Sequence, residues 1–247
     1  MGKYTGADVG FILVGGYSIL GAVTQFTDKI SAQAEESHSL GSSWVEKTFV
    51  GVRSGEWTQN GFFDDAAGSV NEALAAGLAT SKILTYTVET NAAGKNFVGF
   101  SGALAVDYTK SPARGALTKA AANYQGNGIV EEGKILHALT GRTASGNTSA
   151  AAVDFGASNT TGGFGYFQLT SFTSGAGTTA LAVDIMDSPD NLTFTSRMAF
   201  TPATAAPLAE RKAFGSAIQR YAAVKWSGAS GAGAPASCTF FVGLART

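Results

Sequence analysis

The groups that could do chemistry are few, and their spacing argues against a shared site. Of the adjacent acidic pairs, Asp64–Asp65 and Glu131–Glu132 are the candidates for chemistry. Two carboxylates can divide acid and base roles when both reach one point in space. On a strand, adjacent side chains point to opposite faces, which separates Glu131 from Glu132. Asp64 and Asp65 read more simply as a helix start, where carboxylates accept from free amides and favour the helix dipole. His38 and His137 are far apart, and neither has a companion at metal-ligand spacing, so packing or surface roles are the simpler reading. The single cysteine, Cys238, lies in the apolar run CTFFVGLA and reads as a buried thiol. Gly126 and Gly128 in YQGNGIVEEG begin like a dinucleotide fingerprint, but Glu131 stands where the third glycine belongs. GNG therefore reads as a tight turn. The sequence carries no G-x-S-x-G elbow and no phosphate-binding G-x-x-x-x-G-K-[ST] loop. The expectation is no catalytic residue, no metal and no cofactor: a protein that is not an enzyme.

The composition points elsewhere. Of 247 residues, 45% are hydrophobic and only 14% charged, with 32 glycines and 5 prolines. That is enough apolar material for one large domain or two small ones. Sparse charge with abundant Thr, Val and Phe suits sheets whose faces are mostly covered. A solitary monomer usually carries more surface charge, so self-assembly is one implication. A soluble protein with a Ser/Thr-rich surface is the other. The net charge of −1 leaves no basic footprint for nucleic acid. The apolar stretch FILVGGYSILGAV, residues 11–23, is too short for a membrane helix. The start MGKYTGADVG lacks the pattern of a secretory leader, so synthesis in the cytoplasm is expected.

The elements that would position these groups are mostly strands. Residues 23–35, VTQFTDKISAQAE, alternate. Gln25, Thr27, Lys29, Ser31, Gln33 and Glu35 point one way. Phe26, Ile30, Ala32 and Ala34 point the other, with Asp28 interrupting them. Residues 36–46 read as a loop, and 48–60 resume a strand whose polar side holds Ser54, Glu56 and Thr58. A helix is expected over about 64–79, with Val70, Leu74 and Leu78 as its apolar stripe. Strands follow at 82–89 and 96–108, then the KSPARG turn, a returning strand and a further strand toward residue 140. Residues 141–163 read as a Gly/Ser/Thr-rich connection between a first unit, 1–140, and a second, 164–247. The second unit is again strands separated by Pro and Gly turns, with Leu192, Phe194, Met198 and Phe200 expected on one face. LAERKAFGSA, 208–217, is its one weak helix candidate. Each unit contains the pentapeptide ALAVD, at 103–107 and 180–184. Leu104, Val106 and Tyr108 are expected on one face of the first copy; Leu181, Val183 and Ile185 on one face of the second.

Two stretches carry a family resemblance. SLGSSWVEKTFVGVRSGEWTQNGFFDDAAG, 39–68, and VGFSGALAVDYTKSPARGALTKAAANYQGNGIVEEGKIL, 98–136, resemble major tail tube proteins of long-tailed, siphovirus-like bacteriophages. The segments FGYFQLTSF, ALAVDIMDSPDNLTF, RYAAVKWS and CTFFVGLAR resemble C-terminal β-modules of phage tail proteins. The resemblance implies a mainly β chain of two tandem β-sandwich or barrel domains, the first flanked by one helix. It implies a virion tail protein, made in the host bacterial cytoplasm, that assembles with itself into stacked rings forming a hollow tube. DNA would pass through without tight binding, and other tail proteins would meet the tube ends. Gln25, Thr27, Ser31, Gln33, Glu35, Ser54, Glu56 and Thr58 would line the lumen. Ser37, His38, Leu40, Trp44 and Glu46 would belong to a loop reaching the next ring, although Trp44 reads equally well as packing on its own domain. Three chains per ring, pseudo-sixfold, is favoured over six, given the chain length and the second β-domain. The alternative is a capsid-decorating or minor virion protein that binds a preformed shell.

Overall fold

The computed structural model describes residues 6–37, 46–66, 68–75, 78–175, 177, 179–228 and 237–247. The chain is mainly β. In order, its strands are β1 (Phe11–Val14), β2 (Tyr17–Ser18), β3 (Val23–Ser37) and β4 (Glu46–Phe62), then the helix α1 (Val70–Ala75). There follow β5 (Ser81–Thr87), β6 (Asn96–Ser111), β7 (Lys119–Gly126), β8 (Val130–Arg142), β9 (Gly146–Asn147), β10 (Val153–Asp154) and β11 (Gly163–Thr173). The chain ends with β12 (Leu181–Ser188), β13 (Thr195–Ala199), β14 (Leu208–Phe214), β15 (Tyr221–Gly228) and β16 (Ser237–Arg246).

One antiparallel path runs β14-β11-β16-β8-β6-β5-β1-β2, so strands from both halves share a sheet. Its ends approach each other. Gly16, beside β2, donates its N–H to Gln168 Oε1 of β11 at 2.8 Å, and Gln168 Nε2 donates to Thr85 Oγ1 of β5 at 2.7 Å. A Cβ on Gly16 would lie 2.4 Å from the Leu208 nitrogen at the start of β14, so only glycine allows this closure. The path thus curls like a barrel around Phe11, Leu13, Phe97, Ile135, Tyr166 and Phe241.

Two further layers cover this wall. On one side β3, β4 and β7 branch from β6 and, with α1, enclose Ile12, Val14, Trp57, Leu84, Tyr86, Phe100 and Tyr124. On the other side a second sheet, β10-β15-β12-β13 with β9 beside β15, covers Phe167, Leu169, Phe240, Val242 and Leu244. Wall strands are buried on both faces, which explains why FILV and CTFFVGLA are almost wholly apolar. The segment 141–163 is not bare connection: it carries β9, β10 and a 3-10 turn at Ser149–Ala151.

Four expectations change. Among the described residues the helix is Val70–Ala75. Asp64 Oδ1 accepts from Ala66 N at 3.0 Å, and Gly68 has φ 78, so Asp64–Ala66 and Gly68 are turn residues ahead of the helix. Leu78 lies past the helix and is exposed. Residues 208–214 form β14, because every position from Leu208 to Phe214 pairs with β11; sheet partners override local helix preference. Leu192 is not on a core face with Met198 and Phe200. It stands 83% exposed in a turn where Asp190 Oδ1 accepts from the Leu192 and Thr193 amides.

The two ALAVD copies face their cores oppositely. In β12, Leu181 and Val183 are buried. In β6, Ala103 and Ala105 are buried instead, and the pairing with β7 shifts between Ala105 and Asp107, leaving Val106 exposed. A one-residue change of register exchanges the faces of a strand. Leu181→Ala is therefore expected to cost about 3 kcal/mol or more, and Leu104→Ala about 1 kcal/mol or less, measured by urea unfolding.

Candidate functional site

The surface best suited to a task is the outer face of the β3/β4 hairpin. β3 is paired with β4 from Val23↔Gly61 to Ser37↔Glu46. The third strand, β7, pairs with β4 only over Glu56–Phe62. The distal part of the hairpin, residues 31–37 with 46–54, is thus a two-stranded ribbon overhanging the sheet, about 25 Å long at a normal strand rise. A free ribbon of this kind is only marginally stable in water and calls for a partner. The outer edge of β3 has no paired strand among the described residues, an invitation to pair with another chain.

Cross-strand pairing sorts the side chains. Phe26↔Gln59 and Asp28↔Trp57 face the core, where Phe26 meets Tyr86 at 5.1 Å between ring centroids. Gln25↔Asn60, Thr27↔Thr58, Lys29↔Glu56 and Ser31↔Ser54 face away from it, and the Ser31 and Ser54 hydroxyls hydrogen-bond at 2.8 Å. Six of the expected lumen residues, Gln25, Thr27, Ser31, Ser54, Glu56 and Thr58, thus share one face. Lys29, the misfit of that row, stands across from Glu56, which offsets its charge. For Gln33 and Glu35 the structure describes backbone alone: the pairing shifts between Ala32 and Ala34, and Glu35 pairs with Thr48. Ser37 pairs with Glu46, while His38, Leu40 and Trp44 lie outside the described residues.

Sequence reasoning missed how far this face extends. Register carries it onto β7 and β6 through Asn60↔Ala121, Thr58↔Asn123, Glu56↔Gln125, Asp107↔Asn123 and Thr109↔Ala121. The bulge at Val106 aligns Asp107 and Thr109 with Asn123 and Ala121, and a strict two-residue period through ALAVDYT hides that. The result is a four-stranded polar face on which the charges of Lys29, Glu56, Asp107 and Lys119 balance.

The chemistry-bearing groups dismissed as a site have structural partners. Glu131 is buried in the wall, and Arg211 of β14 donates Nε and Nη2 to its two carboxylate oxygens, each at 2.8 Å. The Tyr166 hydroxyl donates to the same carboxylate. Burial, and then that hydrogen bond, hold the Tyr166 hydroxyl protonated well above its ordinary range. Glu132 is exposed, so the acidic pair is split across the strand. His137 stacks on Phe240 at 4.1 Å and accepts from Arg142 Nε at 3.0 Å. Burial, and then the Arg142 charge, push its pKa down to about 4. Burial lifts the Cys238 thiol to about 11, which keeps it an unreactive core group. Among the described residues no three His, Cys, Asp or Glu side chains cluster to hold a metal.

Several solved structures contain chains with a weak likeness to this one. A chain from the virion of a native gene transfer agent particle is 16% identical, with a TM-score of 0.38 over 52% of this chain and 97% of that one. A chain from the sheath–tube complex of an extracellular contractile injection system in its extended state is 12% identical, with a TM-score of 0.40 over 49% and 86%. The Dit protein of phage SPP1, a hub protein of the adsorption apparatus, is 11% identical, with a TM-score of 0.37 over 96% and 98%. No family model matches the sequence, and no curated protein matches it significantly.

Two measurements check the buried groups. Arg211→Met leaves the Glu131 carboxylate buried without its cation and is expected to cost about 3–5 kcal/mol in urea unfolding. For His137, the unfolded chain takes a proton near pH 6.5, while the folded chain resists until about pH 4. Stability is thus expected to fall as pH drops through that window, by about 3 kcal/mol at most. His137→Gln is expected to flatten that fall, read as unfolding midpoints at pH 7 and pH 4.5.

Proposed function

We propose that the chain is a structural subunit of a phage-type virion tail that assembles with itself into rings, the rings stacking into a hollow tube. The observation that carries this reading is the overhanging β3/β4 ribbon with its open β3 edge and largely polar outer face. Such a ribbon gains stability when neighbouring copies continue the sheet through that edge. Repeated round a ring, the hairpins close into an inner barrel lined by Gln25, Thr27, Ser31, Ser54, Glu56 and Thr58, with Gln33 and Glu35 continuing the row. The balanced charge of this lining suits a conduit: DNA meets no basic surface to release its counterions against, and passes without tight binding. The loop holding His38, Leu40 and Trp44, bounded by Ser37 and Glu46, is assigned to the contact with the next ring, and other tail proteins to the tube ends. The protein is made in the host cytoplasm and resides in the virion tail.

The number of copies per ring follows from the number of lining hairpins. Three copies suffice only if each chain supplies two. Among the described residues one long hairpin overhangs its sheet, and the second ALAVD strand faces its core the opposite way from the first. These features support six copies over three, with the second half as outer wall.

Negative-stain microscopy of the concentrated full-length protein tests the reading. Rings and hollow tubes are expected; discrete particles at every concentration would favour a shell-decorating role. In tubes assembled from Thr27→Arg/Thr58→Arg protein, duplex DNA is expected to be retained at low salt and released as salt rises, whereas wild-type tubes retain none.

A further inference from the structure

Two exposed apolar features lie at opposite ends of the same strands. The first is a groove of about 550 Å³ beneath the hairpin overhang, lined by Ile30, Gly55, Gly128, Ile129, Val130 and Glu132. Ile30 is 51% and Ile129 59% exposed, unusual for isoleucines on a rigid surface. The groove is built, not incidental. Ile129 N donates to Ser101 Oγ at 2.7 Å, Ser101 N to Ile129 O at 2.9 Å, and Asn127 N to Gly102 O at 2.8 Å, which pins the β7–β8 turn to β6. Gly55 forms part of the floor, where a Cβ would meet Val130 Cγ2 at 2.7 Å. Among the described side chains, Glu132 on the rim and Asp28, held by the Tyr86 hydroxyl and on the strand that carries Ile30, put negative charge beside it.

The second feature is the β6–β7 turn. Leu117 projects from it 71% exposed. Ala116 N closes the turn on Ala113 O at 3.3 Å, and Gly115 at φ 78 takes the position that needs a left-handed residue. The turn and its base carry Lys110, Arg114 and Lys119 and no acidic residue between Tyr108 and Lys119. Lys110 lies over the Phe63 ring at 4.8 Å. β7 runs from Lys119, beside this turn, to Gly126, beside the groove, a separation of about 25 Å along the strand.

We propose that the β6–β7 turn of one copy docks in the groove beneath the β3/β4 hairpin of a second copy, with Leu117 against Ile30, Ile129 and Val130, and Arg114 toward Glu132. This rests on the tube reading and adds a second axial contact between rings, beside the one assigned to the loop between Ser37 and Glu46. A donor and an acceptor at opposite ends of the same strands make a heterologous contact, and translation along the strands repeats it without closing. That geometry stacks rings; an isologous contact would stop at pairs. One turn in one groove buries too little surface for a stable pair, so the contact holds only when all copies of a ring engage together. Stacking is thereby conditional on ring formation.

Three variants and one cross-link test it. Leu117→Asp and Ile129→Asp protein, each folded as judged by its unfolding midpoint, is expected to give rings with loss of tubes. Arg114→Glu is expected to lose tubes also, and Arg114→Glu/Glu132→Arg to recover them. Separately purified Leu117→Cys and Ile129→Cys chains, mixed under mild oxidation, are expected to form the mixed disulfide. Leu192→Cys, exposed elsewhere, mixed with Ile129→Cys is expected to form none, and the native Cys238 is buried. Tubes that persist in both aspartate variants, loss of rings along with tubes, or absence of the mixed disulfide would overturn the docking. If the wild-type chain forms no rings at all, the tube reading fails, and the disulfide alone then decides whether the turn and groove meet.

Discussion

The structure depends on Phe97 being surrounded. Its ring meets Tyr166 and Phe241 edge-on, each at 5.4 Å between centroids, and so ties a strand of the first half to two of the second. Two glycines clear the space. A Cβ on Gly243 would lie 2.4 Å from the Phe97 ring, and one on Gly133 2.7 Å. Because β6, β8, β11 and β16 pack around this ring on one face, their other faces are free to carry separate cores. The hairpin layer and the second sheet are each built on what that wall leaves uncovered. The Glu131–Arg211–Tyr166 cluster reinforces the same junction with directional bonds, at the cost of desolvating two charges.

What sequence could reveal follows from this layering. β3 has one wet face, so its alternation is legible, and period alone puts Gln25, Thr27 and Ser31 on that face. The wall strands have no wet face, so FILV and CTFFVGLA reveal burial without revealing what lies on either side. Helix signals misled at 64–79 and 208–217 because both were local. Gly68 and the Asp64 turn delay the first helix, and seven paired positions along β11 convert the second segment into a strand. Glu131 was invisible as a partner of Arg211, since nothing in the spacing of two residues eighty positions apart signals contact. The extension of the polar face onto β6 was hidden by the bulge at Val106.

The identical pentapeptides make the same point about duplication. ALAVD offers two faces, small (Ala, Ala) and large (Leu, Val), and either can be buried. In β6 the small face lies in a core that holds Trp57 and Tyr124, and alanine fits beside such rings. In β12 the large face fills a core that must reach from one sheet to the next. Shared letters therefore mark a shared strand type, and the neighbours decide its orientation.

The management of sheet edges links fold to assembly. The ends of the long path, β14 and β2, come together where Gly16 meets Gln168 and Leu208. The second sheet ends on β13, five residues long and carrying Arg197 bonded to Asp187, a short and charged edge. β3 follows neither device. It is fifteen residues long, leaves the core behind after Phe26, and lacks proline. A fold that closes one edge and shortens another, yet leaves its longest open, concentrates its capacity for association on that strand. The overhang then gives direction as well as affinity: it shelters an acidic, apolar groove on one side and presents a polar, charge-balanced face on the other. Lateral pairing would use the edge, and axial stacking the groove, so the two contacts do not compete for the same atoms.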